Sequence, residues 1–341
     1  MLQQCCARAT RLASRAVRSH LASSSSSSPT LLRPARRLST ASPARPPPSR
    51  PPQRALLYVP GSSQKMLDKV LAGSLPRTAQ PDVVTLDLED SVRPEQKALA
   101  RALDSSSSSL RSRKFVRINS GQAGLDDLES ILQSSSLDGL ILPKVHTAAD
   151  LLAVDNFILE HGGERHRDLR VVASIEGPLA LLNMREIATC SPRVGGLLFA
   201  AEDYCASSRI TRTPSRRELL FARSAVVAVA HAYSLEAVDL VCVRYKGDDS
   251  ERVLADECRE GRELGFTGKQ AIHPAQVDII QREFSPSSAE IERAQAILAQ
   301  YDAARATGAG AYGLDGDMMD APMVLQAESV LEQARGAGVD V

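Results

Sequence analysis

From residue 54 onward, short apolar runs rich in β-branched residues alternate with longer stretches of helical period, eight times over. The runs occupy 55–59, 83–88, 115–118, 139–142, 171–175, 196–200, 238–243 and 268–272. The intervening stretches include 125–133, 148–160, 178–189, 216–233 and 250–264. A strand that is apolar along its whole length must be covered on both faces. Strand–helix–strand repetition provides that cover by laying helices over a parallel sheet. Eight such units in roughly 225 residues predict a TIM (β/α)₈ barrel. The competing open, doubly wound sheet calls for Gly-x-Gly-x-x-Gly after its first strand. Here that strand is followed by Pro60-Gly61-Ser62-Ser63-Gln64. Hydrophobic residues make up 43% of the chain while aromatics are only 4%, with no Trp, so the core must be aliphatic.

Residues 1–53 read differently. The first acidic residue is Asp68, and before it stand Arg8, Arg11, Arg15, Arg18, Arg33, Arg36, Arg37, Arg45, Arg50 and Arg54. The first four recur at three- and four-residue spacing, the stripe of a basic amphipathic helix, as in a mitochondrial transit peptide. Arg36-Arg37-Leu38-Ser39-Thr40 resembles a matrix-processing site, and a Pro-rich linker runs from Pro43 to Pro52. Mitochondrial matrix localisation is therefore expected. Cleavage after Leu38 leaves 34 basic against 41 acidic residues. A remainder of that sign is a poor match for nucleic acid, whose phosphates need a basic face. No apolar run approaches the roughly 20 residues that cross a bilayer, so no membrane partner is expected. Cys5 and Cys6 fall in the leader. Cys190, Cys205, Cys242 and Cys258 form no CxxC pair and read as reduced structural thiols.

The expected division is a leader and linker over 1–53, a barrel over 54–284 and a C-terminal extension over 285–341. Within the extension, 287–306 and 323–335 have helical period. The Gly-rich stretch 308–322 between them carries a short alternation suited to a hairpin.

In a TIM barrel the active site lies at the C-terminal ends of the strands. Strand two ends in Asp87-Leu88-Glu89-Asp90, strand three in Arg117-Ile118-Asn119, strand four in Pro143-Lys144, strand five in Glu176 and strand six in Glu202-Asp203. Carboxylates with no His or Cys beside them suit a hard cation such as Mg²⁺, which takes one or two protein carboxylates and completes its shell with water and substrate oxygens. Glu176 and Asp203, on adjacent strands, would supply that pair. No His/Cys cluster has zinc-ligand spacing. An Arg ending an apolar strand, as Arg117 does, points into the barrel mouth and needs an anionic partner there. Lys65 and Lys69 lie one helical turn apart and share a face, suited to solvent or to phosphate. Asp320, just before Ala321-Pro322, has the position of a helix cap.

The ordered series Tyr58-Val-Pro-Gly-Ser, Leu86-Asp-Leu-Glu-Asp-Ser, Phe115-Val-Arg-Ile-Asn, Leu142-Pro-Lys, Ile175-Glu-Gly-Pro, Ala201-Glu-Asp-Tyr, Leu219-Leu-Phe-Ala-Arg and Gly265-Phe-Thr-Gly-Lys-Gln-Ala-Ile-His-Pro resembles the citrate lyase β-subunit family of the HpcH/HpaI aldolases. The resemblance runs from Arg54 to about Arg335. It implies a Mg²⁺-dependent carbon–carbon lyase on a TIM barrel, acting on acyl-CoA and 2-keto acid substrates as a homotrimer. The implied reaction is cleavage of citramalyl-CoA, or of a malyl- or citryl-thioester analogue.

Position by position, the resemblance implies metal ligation by Glu176 and Asp203. It implies recognition of the substrate carboxylate by Arg117, and contacts to the CoA portion from Tyr58, Lys65, Lys69, Ile272 and His273. Glu89, Asp90 and Lys144 are expected to support these from behind. Gly316-Asp-Met-Met-Asp320-Ala-Pro resembles the family's C-terminal active-site segment, which implies that Asp320 is the acid–base residue of a neighbouring subunit's site. Gly177 departs from the Ser or Thr that relatives often place after the Glu, and this bears on acyl specificity. Two other readings remain at this stage. A CoA-independent keto-acid aldolase would give Lys65 and Lys69 no role, and a non-catalytic binding barrel would show no turnover.

Overall fold

The computed structural model describes residues 53–341 except 72–74, 77–78, 98–99, 101–111, 135–136, 308–311 and 315–316. Apart from Gln53, the expected leader and linker lie outside the described residues, as does part of the Gly-rich stretch before Asp320.

Eight parallel strands close into a barrel in sequence order: β1 (Ala55–Pro60), β2 (Val83–Asp87), β3 (Arg113–Arg117), β4 (Gly139–Leu142), β5 (Arg170–Ile175), β6 (Val194–Phe199), β7 (Glu236–Asp239) and β8 (Gly268–Ala271). Closure is made by β1 on β8, with Leu56 opposite Gln270 and Leu57 opposite Ala271. The TIM barrel expected from the alternation is thus the fold of the chain.

The two-residue period of a strand sorts each side chain to the inside or the outside of the barrel. Leu56, Val83, Phe115, Ile141, Val172, Leu198 and Val238 form the interior cluster, one residue from each of β1 to β7. From β8, Gln270 is buried instead, and its amide donates to the carbonyls of Phe199 and Asp239 at 3.1 Å each. Gly139 makes room for the largest interior ring, since a Cβ there would meet Phe115 Cζ at 2.5 Å. The alternate residues, among them Leu57, Val84, Val116, Leu140, Val171 and Leu197, belong to the larger core between strands and helices.

The covering helices are α1 (Gln64–Leu71), α2 (Gly121–Ile131), α3 (Ala148–His161), α4 (Pro178–Leu182), α5 (Met184–Thr189), α6 (Ala201–Ser208), α7 (Leu220–Ala232), α8 (Ser250–Leu264) and α9 (Val277–Glu283). Local chemistry sets their ends. Thr147 and Asp150 form a capping box at the start of α3. Gly265, at φ +101°, ends α8 in the left-handed conformation that glycine adopts without strain.

Three expectations shift. The helix expected over 178–189 breaks at Asn183, whose amide turns away to donate to the His146 carbonyl at 2.9 Å. The helix expected over 125–133 starts at Gly121 instead. The strand expected over 238–243 stops pairing at Asp239, where the ladder to β8 ends. Leu240 and Cys242 remain buried beyond it, so the apolar run there reports burial of a loop.

Beyond the barrel, α10 (Ser288–Thr307) and α11 (Ala321–Gly336) flank an antiparallel hairpin of β9 (Tyr312–Leu314) and β10 (Asp317–Met319). The two helices pack through Ile291, Ala294 and Ile297 against Ala327, Leu331 and Ala334, a cluster separate from the barrel core. The Arg262 fork on Glu290, at 2.7 and 3.2 Å, ties α10 to α8. Among the described residues, no helix is long and apolar enough to cross a membrane.

Candidate active site

Asp87 closes β2 and Arg117 closes β3, and the two are direct partners in the β2–β3 register. Both face the interior by strand parity. Arg117 Nε and Nη2 donate to the two carboxylate oxygens of Asp87 at 2.6 and 2.7 Å. Its Nη1 lies 3.1 Å from Glu89 Oε2, and its guanidinium sits over the Tyr58 ring at 5.0 Å. Glu89 also accepts from Lys144 Nζ, which reaches Asp90 at 3.6 Å. Lys144 holds φ +52°, a conformation rarely taken by residues with a Cβ, at the end of β4.

Charge and burial set the protonation of this group. Burial pushes Asp87 upward, but the hydrogen bonds and charge of Arg117, helped by Ser91, hold it below the usual carboxylate range. Arg117 loses by burial and gains more from Asp87, so it stays charged. Glu89 is raised, first by burial and also by Asp90, against the pull of Arg117 and Lys144. Tyr58 is raised by burial, so its phenol stays protonated.

Glu176 follows β5 and is 7% exposed. Burial lifts it most, and the negative charges of Glu89 and Asp203 lift it further. The Ser174 hydroxyl and the Lys144 backbone N–H pull the other way, and the result is a pKa of about 7. Asp203 lies in the first turn of α6, half-buried. Its neighbour Glu202 is turned away into an ion pair with Arg212. The acids at the ends of β5 and β6 are therefore separable by geometry, and Asp203 is the one whose charge is felt at Glu176. The Ser207 hydroxyl donates to the Glu176 carbonyl at 3.0 Å and stands 3.1 Å from where a Cβ on Gly177 would sit.

Among the described residues, no group of three or more His, Cys, Asp or Glu is arranged to hold a metal by itself. The donor set nonetheless fits a divalent cation of the Mg²⁺ kind. It is an all-oxygen pair that leaves the rest of the shell to water or substrate.

The other expected site residues lie further out. Lys65 and Lys69 are exposed on α1. Ile272 and His273 are exposed after β8, where His273 stacks on Tyr245 at 5.6 Å. Asp320 is exposed and caps α11, accepting from the Met323 N–H at 3.4 Å. The role of Asp87 is not apparent from its place at the strand end; the inward parity of Val83, Thr85 and Asp87 is the sequence signal that puts it at the mouth.

An eight-stranded parallel barrel whose C-terminal mouth gathers buried carboxylates around one arginine is a TIM-barrel enzyme arranged for cation-assisted chemistry on an anionic substrate. The chain belongs to the HpcH/HpaI aldolase/citrate lyase family, which it matches over residues 54–274. Residues 217–339 also match the carbon–carbon bond lyases of the TIM-barrel fold, so the enzyme is a carbon–carbon lyase.

The chain is 33% identical to the mitochondrial citramalyl-CoA lyase of Homo sapiens over 304 residues, covering 83% of this chain and 86% of that protein. It is 33% identical to the citrate lyase subunit beta of Haemophilus influenzae over 292 residues, covering 83% and 97%. Protein CitE from Mycobacterium tuberculosis, solved in complex with magnesium, acetoacetate and coenzyme A, superposes with a TM-score of 0.67. It is 26% identical, with 84% of this chain and 98% of that one covered.

Proposed function

We propose that this chain is a Mg²⁺-dependent lyase that cleaves citramalyl-CoA, or a close 3-hydroxyacyl-CoA analogue, to a 2-keto acid and acetyl-CoA. The observation that carries the reading is Glu176, buried beside Asp203 and Glu89 and raised to a pKa of about 7. Such a cluster is stabilised by a bound cation. Glu176 and Asp203 would hold the metal, which would supply Lewis-acid stabilisation of the keto-acid oxygen where charge develops.

The remaining steps belong to the chain's own side chains. Asp87 takes two of the five N–H donors of Arg117, and Nη1 is ion-paired with Glu89 at 3.1 Å and lies 3.9 Å from Asp90. The donors that Asp87 does not hold are the ones offered to the keto-acid carboxylate. Glu89, Asp90 and Lys144 keep that arrangement from behind. A base removes the proton of the substrate's 3-hydroxyl and the C2–C3 bond breaks. The hydroxyl carbon becomes the keto acid, and the electron pair passes to the acetyl-CoA enolate. Asp320 of a neighbouring subunit is the base that takes the hydroxyl proton and the acid that returns it to the CH2 carbon of the enolate, which becomes the acetyl methyl group. Lys65 and Lys69, exposed on α1, and Ile272 and His273, exposed after β8, suit the CoA portion. Tyr58, under Arg117, lies nearer the acyl end.

A barrel over 54–284 and an extension over 285–341 that closes a neighbour's site, in a homotrimer, complete the proposal. Similarity to a mitochondrial lyase and the basic, acid-free start of the chain support a mitochondrial matrix location. A reporter fused to residues 1–53 should enter mitochondria, and a cytosolic signal would remove that part. The lyase reading itself is tested by comparing citramalyl-CoA with free citramalate under Mg²⁺. Cleavage of the thioester alone supports it, and equal cleavage of both points to a CoA-independent aldolase.

A further inference from the structure

We propose that Asp87 is the positioning residue that sets the angle and charge of Arg117, and through it the keto-acid subsite. The inference rests on the reading that Arg117 binds the keto-acid carboxylate. Asp87 is 1% exposed and occupies the strand position directly opposite Arg117. Its two oxygens accept five donors: Arg117 Nε at 2.6 Å, Arg117 Nη2 at 2.7 Å, the Glu89 N–H at 3.0 Å, the Ser91 N–H at 3.1 Å and the Ser91 hydroxyl. A carboxylate offers about four lone-pair sites. None is left for a metal or a substrate, so Asp87 works only through what it holds.

What it holds is one edge of a planar fork. Engaging Nε and Nη2 fixes the guanidinium plane and directs Nη1 to Glu89. The remaining N–H groups of Nη1 and Nη2 then leave the fork in fixed directions. The turn 88–91, folded back on the same carboxylate by the Glu89 and Ser91 amides, brings Glu89 to its place between Arg117 and Lys144. Asp87 thus orients the arginine directly and its second anionic partner through the backbone. Fixing a recognition group through a buried partner is how a rigid scaffold holds a site within the tolerance that binding and catalysis need.

The test uses the full chain and oxalate, a planar dicarboxylate that resembles a 2-keto acid. Binding is measured by calorimetry with saturating Mg²⁺. Asp87→Asn should weaken oxalate at least tenfold and leave binding of free CoA unchanged. In an Arg117→Met background the same Asp87→Asn change should alter oxalate affinity less than twofold, because there is no fork left to orient. Equal effects in the two backgrounds would overturn the inference. A second readout does not depend on the functional reading. The Arg117 Nε–H resonance, assigned by its loss in Arg117→Met, should be sharp and slowly exchanging in the parent chain and broadened in Asp87→Asn. An unchanged resonance rejects the positioning role even if oxalate proves not to be a ligand. Should Asp87→Asn fail to fold, Ser91→Ala removes one donor and keeps the ion pair. It should broaden the same resonance more mildly, and no broadening would again overturn the inference.

Discussion

Arg117 lies over the ring of Tyr58, with its guanidinium carbon 5.0 Å from the ring centroid, while its edge is bound to Asp87. A planar, delocalised cation can stack and fork at once, and an ammonium can do neither in that way. Arg117→Lys should therefore keep the charge and lose the site. The expected loss in kcat/KM is two powers of ten or more, roughly 3 kcal/mol of transition-state stabilisation. Steady-state kinetics on the acyl-CoA substrate check it, and near-normal values would remove Arg117 from the site.

The acids at the mouth predict how metal and pH act on stability. Glu176 has a pKa of about 7 in the fold, against an ordinary value of 4.5. The metal-free folded chain then binds more protons than the unfolded chain between those values. Its stability from this group is complete below 4.5 and is lost as pH rises through about 7. Glu89, also raised, acts in the same direction. A cation held by the ionised pair offsets that loss only where Glu176 is ionised. The Tm gain from Mg²⁺ should be a few degrees larger at pH 8 than at pH 6. Glu176→Ala and Asp203→Ala should fold, show little Mg²⁺-dependent gain and lose turnover. Equal gains at both pH values, or wild-type kcat in either variant at limiting Mg²⁺, would contradict the metal assignment.

The barrel was legible because parallel strands covered on both faces read as short continuous apolar runs, as in 139–142 and 171–175. That signal misleads where burial outlasts pairing. Leu240 and Cys242 are buried without being in the ladder, so the seventh run was read too long. The strand-end acids were legible from the fold alone, since a TIM barrel presents those positions at one rim. The pairing of Asp87 with Arg117 was not, because it depends on the register of two strands thirty residues apart in the chain. Asp203 stands out from strand order and the family resemblance; what the sequence does not show is that its neighbour Glu202 has a partner of its own in Arg212.

Asp320 combines two demands that a single substitution separates. Its carboxylate caps α11 through the Met323 amide. Asn caps a helix about as well as Asp but cannot accept a proton. Asp320→Asn should fold and associate like the parent chain and lose most of kcat. Mixing it with Glu176→Ala, itself inactive, under conditions that exchange subunits should restore part of the activity if each site draws on two chains. Full activity of Asp320→Asn alone rejects the acid–base role, and absence of complementation despite demonstrated exchange rejects the shared site.

Carbon–carbon cleavage is tested most directly by following both products of the one bond in the same tube. The purified chain is incubated with citramalyl-CoA, and with malyl- and citryl-CoA in parallel, and the keto acid and acetyl-CoA are assayed together over time. Equimolar appearance of the two is expected with at least one of these thioesters, abolished by EDTA and restored by excess Mg²⁺. No cleavage of any of the three, or cleavage that EDTA leaves untouched, would contradict it.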